Sequence, residues 1–138
     1  MPPLLSIENF SAGFSFEGKT THAVKNISFS VKKGEIVGLV GESGSGKSVT
    51  ALSILQLIPS PPVRYSGGKI LFSENETDPV DLLKINTEEL QKIRGNKIAM
   101  IFQEPMTSLN PVIKCGVQVE EAILAHKKIS RSEATAQT

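Results

Sequence analysis

Apolar and polar residues alternate in two ways along this chain, and each pattern predicts a different element. Leu4-Leu5-Ser6-Ile7-Glu8-Asn9-Phe10 alternates roughly, and Ala23 to Val31 alternates cleanly, with Ile27, Phe29 and Val31 on one face. Period-two patterning of this kind predicts half-exposed antiparallel strands. Ser11 to Thr21, polar and containing glycine, reads as the connection between them and carries Phe14 and Phe16. Lys32-Lys33-Gly34-Glu35 reads as a tight turn. Ile36-Val37-Gly38-Leu39-Val40 follows without alternation, as a parallel strand buried on both faces would. From Lys47 to Ile58 the apolar residues Val49, Leu52, Ile54, Leu55 and Ile58 fall largely at helical spacing, and Pro59-Ser60-Pro61-Pro62 ends the helix.

The second half continues the alternation of elements. Ser60 to Gly68 is a Pro/Gly-rich crossing, Lys69 to Ser73 a short strand, and Glu74 to Pro79 an acidic, solvated loop with nothing to fix its carboxylates around a metal. Asn86 or Thr87 caps a short helix over Glu88 to Ile93. Lys97 to Phe102 reads as another apolar strand, and Gln103-Glu104-Pro105-Met106-Thr107-Ser108-Leu109-Asn110-Pro111 as a loop at its end. Val112 to Lys128 returns to helical spacing, and Ser130-Arg131-Ser132-Glu133 has the form of a capping box. The pattern as a whole predicts an α/β fold: a parallel sheet with flanking helices, preceded by a small antiparallel layer.

One stretch carries explicit chemistry. Gly41-Glu42-Ser43-Gly44-Ser45-Gly46-Lys47-Ser48 has the form G-x-x-x-x-G-K-[ST], the phosphate-binding loop. Wrapping a polyphosphate brings backbone N–H groups close to anionic oxygens, which glycines at 41, 44 and 46 permit. Lys47 then reaches the terminal phosphates and the Ser48 hydroxyl serves Mg²⁺. The flanking strand and helix place the loop, with Val49 following it, at a helix N-terminus, where dipole and amides favour an anion. A Lys47–phosphate pair at about 4 Å contributes on the order of 4 kcal/mol at an effective dielectric near 20, before desolvation.

Bulk properties narrow the classes. The chain has 138 residues, a formal net charge of +1 and one cysteine. That length suits one domain or a large part of one. Lys and Arg are scattered, so no nucleic-acid footprint emerges. Lone Cys115 makes neither an intramolecular disulfide nor a cysteine zinc site and reads as a small, partly buried residue. No apolar run approaches the ~20 residues that span a bilayer. Nothing at the N-terminus resembles a signal peptide, so the expected setting is cytoplasmic, with membrane association only through a partner. His22 and His126 read as surface residues. A GTPase would carry D-x-x-G and N-K-x-D; the first is absent, and Asn96-Lys97-Ile98-Ala99 lacks the Asp.

Three segments resemble a known family. Residues 31–59 (VKKGEIVGLVGESGSGKSVTALSILQLIP), 67–72 (GGKILF) and 98–112 (IAMIFQEPMTSLNPV) are similar to the ATP-binding subunits of ABC transporters, within them the oligopeptide/dipeptide/nickel importers. The resemblance covers nearly the whole chain but only the N-terminal portion of the family's domain. It implies that residues 1–113 are part of the ATPase core and 114–138 the start of its helical subdomain. It further implies that residues 41–49 hold ATP-Mg²⁺, that Gln103 reaches Mg²⁺ and the attacking water, and that Phe14, or alternatively Phe16, stacks on adenine. The implied partners are membrane permease subunits, met through the 103–111 loop at the inner face of the plasma membrane, and a second ATP-binding subunit.

The family's signature loop, its acidic catalytic strand and its switch histidine find no counterpart here, so the general base has no candidate in this chain. A non-hydrolytic nucleotide-binding or interaction module, or an inert gene fragment, stays open beside the importer reading. The family's topology also implies that the strand before the phosphate loop pairs with strands encoded after residue 138. The expectation is therefore a marginal, aggregation-prone chain when expressed alone.

Overall fold

The computed structural model describes residues 3–74, 78–104 and 108–138. Two compact units divide after Leu90: residues 1–90 and 91–138. The middle of the acidic loop and Pro105-Met106-Thr107 of the 103–111 loop lie outside the described residues.

The first unit is built on a long hairpin. β1 spans Leu5–Phe16 and β2 spans Lys19–Val31, joined by Glu17 and Gly18. Both linking residues have positive φ, 47° and 78°, the backbone that matches the twist of a two-residue hairpin. The stretch Ser11 to Thr21, expected as a connection, is therefore mostly strand. Bulges hid it from the pattern: the register shifts between Ile7 and Phe10 and again around Ala12. Asn9 and Asn26 take positive φ at these irregularities. Their N–H groups donate to the hydroxyls of Ser28 (2.8 Å) and Ser11 (2.9 Å) respectively. Each bulge flips the inward face, so alternation counted straight through it fails.

β3, Val63–Phe72, pairs antiparallel with β1, and the short β4, Val80–Asp81, pairs antiparallel with β3. The sheet order is β2-β1-β3-β4. β3 begins six residues earlier than expected, within the Pro/Gly-rich crossing. Gly68 is required inside it, because a side chain there would overlap the backbone of Glu8 and Asn9. Ile7, Phe10, Val63, Ile70 and Leu82 are fully buried, with Phe72 and Leu55 nearly so. Phe10 and Tyr65 lie ring to ring at 6.0 Å. On β2, half-buried Ile27, Phe29 and Val31 alternate with exposed neighbours, as the pattern requires.

The helix α1 spans Lys47–Ile54, shorter than the apolar spacing suggests. It stops in a Schellman arrangement: Gln56 takes φ 47°, Leu57 N–H donates to Leu52 O (2.9 Å) and Gln56 N–H to Ser53 O (3.1 Å). The prolines from Pro59 on thus follow a helix already ended. A Gln56 side-chain amide donates to Leu82 O and ties this end to the chain after β4. α2, Thr87–Ile93, is capped by Asn86, whose Oδ1 accepts from Glu89 N–H at 2.9 Å.

In the second unit, α3 spans Cys115–His126 and α4 spans Arg131–Ala136. Both halves of the Ser130/Glu133 capping box are formed. Cys115, expected to be partly buried, is exposed at the start of α3.

The expected parallel strands are the main departure. Residues 36–40 and 98–102 belong to no strand; Ile98 makes one isolated bridge with Arg94. Ile36, Val40 and Ile101 are 98%, 94% and 95% exposed. An all-apolar strand of this type is held by partners on both edges and cover on both faces. Among the described residues neither segment has them, so local sequence alone does not make the strand.

Candidate functional site

The phosphate-loop residues come together as one built structure in the first unit. A turn closes it, with Ser45 N–H donating to Glu42 O at 3.2 Å. Gly44 and Gly46 have φ of 80° and 91°, conformations that other residues adopt only under strain. Gly41 serves differently: a Cβ there would lie 2.6 Å from Ser45 Oγ, so the loop closes over the space a side chain would take.

Lys47 is the electrostatic centre. Its Nζ donates to Gly41 O and Glu42 O, both at 2.7 Å, and to Ser45 Oγ at 3.2 Å. The ammonium is thereby held inside the loop by neutral acceptors, positions that anionic oxygens satisfy better. Gly46 caps α1 without any side-chain cap, so no side chain covers the leading amides of the helix. Just inside the helix, Thr50 is buried and anchors the turn through Oγ1 donating to Gly46 O at 2.9 Å. Ser48 is exposed in the first turn and Val49 is half-buried.

β2 forms the other wall. A Cβ on Gly46 would lie 2.5 Å from Ala23 O, which shows how tightly the loop rests on that strand. Between them is a cleft of about 430 Å³ whose lining includes His22, Lys25, Val40, Ser45 and Lys47. His22, read from sequence only as a surface residue, is exposed but borders the loop. Nothing in the residue order marks it, because its place beside the loop depends on the close approach of β2 to Gly46. A larger groove of about 730 Å³ runs along Ser60–Gly68 and Leu83–Lys84 and touches none of the motif residues.

The aromatic candidates fall elsewhere. Phe14 is half-buried on β1, opposite Thr21 and Val63, and is not among the residues lining the cleft. Phe16 is 66% exposed at the hairpin end. Gln103 belongs to the second unit, where it is exposed at a bend. Among the described residues no group of His, Cys, Asp or Glu could hold a metal, and no helix is long and apolar enough to cross a membrane.

In the second unit, Glu120 is buried between α3 and α4. Its carboxylate accepts from Thr135 Oγ1 at 2.6 Å and from Arg131 at 3.4 Å. The Thr135 hydroxyl first, then Arg131, hold its pKa below the usual glutamate value against the opposing effect of burial. Glu133 is lowered likewise by the Ser130 hydroxyl and backbone of the capping box. Both are structural carboxylates.

Comparison with known proteins gives the same picture. The ABC transporter family model matches residues 24–137. A probable peptide ABC transporter ATP-binding protein of Sinorhizobium fredii is 45% identical over 131 residues, 95% of this chain and 38% of that protein. The oligopeptide transport ATP-binding protein OppD of Bacillus subtilis is 44% identical, with 95% of this chain and 35% of that protein covered. Among solved structures, the dimeric post-hydrolysis state of the ATP-binding cassette MJ0796 bound to ADP and Pi superposes with a TM-score of 0.76 at 25% identity. That match covers 96% of this chain and 53% of the cassette. The α/β cassette fold expected from sequence is the fold this likeness shows, although the chain spans only part of it. With a phosphate loop of this geometry and a family match over 24–137, the chain belongs to the ABC transporter family, as part of an ATP-binding cassette.

Proposed function

We propose that this chain binds ATP with Mg²⁺ through residues 41–49. The observation that carries the proposal is the Lys47 ammonium, held between Gly41 O, Glu42 O and Ser45 Oγ at the uncapped start of α1. Phosphate oxygens replace those neutral acceptors, and the amides of the loop and first helical turn complete the cradle. Ser48, exposed in that turn, has the hard oxygen that Mg²⁺ would take, and in the whole cassette the Gln103 amide would offer an oxygen of the same kind. Held there, Mg²⁺ would supply positive charge against the phosphates. A stacked ring would add about 0.5–1.5 kcal/mol on the scale of aromatic pairs, but neither Phe14 nor Phe16 lines the cleft. Affinity is therefore led by the phosphates.

The chain spans 38% and 35% of two of its relatives, so the wider role is that of a whole protein. In that protein we propose coupling of ATP hydrolysis to uptake of a peptide or related solute. A second ATP-binding subunit pairs with it, and a membrane-embedded permease is met through the 103–111 loop on the cytoplasmic face. The roles named for those relatives, peptide and oligopeptide transport, support this reading. By itself the chain is expected to bind nucleotide without steady turnover, because among the described residues none is placed as a general base for water.

Titration with a fluorescent ATP analogue tests the site. Lys47→Ala is expected to weaken binding at least tenfold, and omission of Mg²⁺ to weaken it as well. Equal affinities for wild type and Lys47→Ala overturn the assignment. Clear ATPase turnover by the purified chain overturns the claim that binding and hydrolysis are separated here.

A further inference from the structure

The end of the loop that carries Gln103 is fastened to α3 through the Gln118 side chain. Asn110-Pro111-Val112-Ile113 is a β-turn, with Ile113 N–H donating to Asn110 O at 3.2 Å. Asn110 Oδ1 accepts from Val112 N–H at 3.1 Å, so the turn is also braced from within. Gln118, half-buried in the first turns of α3, then grips it from outside. Its Oε1 accepts from Asn110 N–H at 2.7 Å, and its Nε2 donates to Asn110 O at 3.0 Å and to Ile113 O at 2.9 Å.

A primary amide has one carbonyl and two N–H donors. Gln118 uses both ends, on both polar groups of Asn110 and on the last carbonyl of the turn. No shorter or singly functional side chain reproduces this: Leu offers neither end, and Glu offers only the acceptor. Leu109 just before the turn, and Val112 and Ile113 within it, are 45%, 87% and 42% exposed, and Val119 of α3 is 42% exposed.

We propose that Gln118 is a positioning residue that locks the 108–113 end of the loop to α3, so that turn and helix hold one geometry. The inference rests on the functional reading above only for what the loop does, namely meet a permease. The lock itself is a property of the second unit. Its consequence under that reading is that displacement of the loop by a partner is passed to α3 directly, with no slack in the turn.

The test uses the full chain labelled with ¹⁵N and ¹³C, without nucleotide or permease. Gln118→Leu removes all three bonds and is expected to raise amide exchange at Asn110 on the order of tenfold, the loss of about one hydrogen bond. Amides in the later turns of α3, from 121 on, are expected to stay protected. Gln118→Glu keeps the acceptor for Asn110 N–H but sets a carboxylate against two carbonyls. It is expected to leave Asn110 protected while shifting the carbonyl ¹³C signals of Asn110 and Ile113. That atom-by-atom split distinguishes positioning from a general packing role. Unchanged Asn110 exchange in Gln118→Leu, uniform loosening of α3, or identical effects of the two variants overturns the proposal. Failure of nucleotide titration with Lys47→Ala overturns the functional reading alone.

Discussion

The antiparallel sheet and the segment that follows it treat the same kinds of residue in opposite ways. In the sheet, Ile7 and Ile70 on neighbouring strands are 1% and 0% exposed. A few residues beyond the end of β2, Ile36 and Val40 are 98% and 94% exposed. The two regions do not differ in hydrophobicity; they differ in where their partners lie. β1 finds β2 across a two-residue turn and β3 within the same unit, so its hydrogen bonds close nearby. The stretch before the phosphate loop has no strand neighbour among the described residues. A buried parallel strand depends on non-local pairing, and local propensity does not supply it. The loop geometry survives this exposure because its own turn, its glycines and Thr50 hold it, with β2 as a backstop.

Substitutions can break this contrast. The largest effect is expected in the sheet. Phe10→Ala removes a ring that is fully buried, and chemical denaturation should show a loss of about 3–5 kcal/mol. Ile36→Ser, by contrast, should change stability by no more than about 0.5 kcal/mol, as for ordinary surface positions, while reducing self-association in light scattering. A loss of several kcal/mol for Ile36→Ser would show that the segment is buried in solution and would erase the contrast.

Gly46→Ala is next. A methyl there meets Ala23 O at 2.5 Å in a left-handed conformation, so the loop must lift from β2. The backbone strain alone costs about 1–2 kcal/mol, and nucleotide binding should fall with it. An unperturbed melting temperature with full binding would refute the claim that β2 supports the loop.

The smallest expected effect lies in the second unit and is driven by pH. The folded-state pKa of Glu120 is lowered, so its contribution to stability is complete above the unfolded-state value of about 4.3. That contribution declines as pH falls through the lower folded-state value. The α3–α4 contact should therefore loosen only in acid. Amide exchange at Ala134, buried on α4, followed from neutral pH down to pH 3 and corrected for intrinsic rates, checks this. Loosening that begins near neutrality would point to another group.

Much of the site was legible in the residue order. The spelling of 41–48 states a loop whose backbone must come close to something, and the observed φ values at Gly44 and Gly46 agree with that spelling. The Ser130 cap was equally plain, and the α2 cap was narrowed to Asn86 or Thr87, because a cap is decided within a few residues. The hairpin was not: Asn9 and Asn26 break the alternation, and a bulge is visible only once its partner strand is known. Helix length escaped as well. Apolar spacing runs on through Ile58, whereas Gln56 takes the left-handed conformation that ends α1. The bonds of Gln118 lie beyond any pattern, since they depend on a turn five to eight residues away folding back on the helix.

By itself, then, the residue order determined the form of the phosphate loop, the Ser130 cap and the family. Each is written in contiguous residues whose interactions close within one or two turns of chain. Tertiary structure alone decided which apolar runs become strands, where the register shifts, that Ala23 and His22 stand beside the loop, and that Gln118 holds the end of the 103–111 loop. Those outcomes depend on contacts between residues distant in the chain, and a pattern of hydrophobicity carries no record of which distant partner is present.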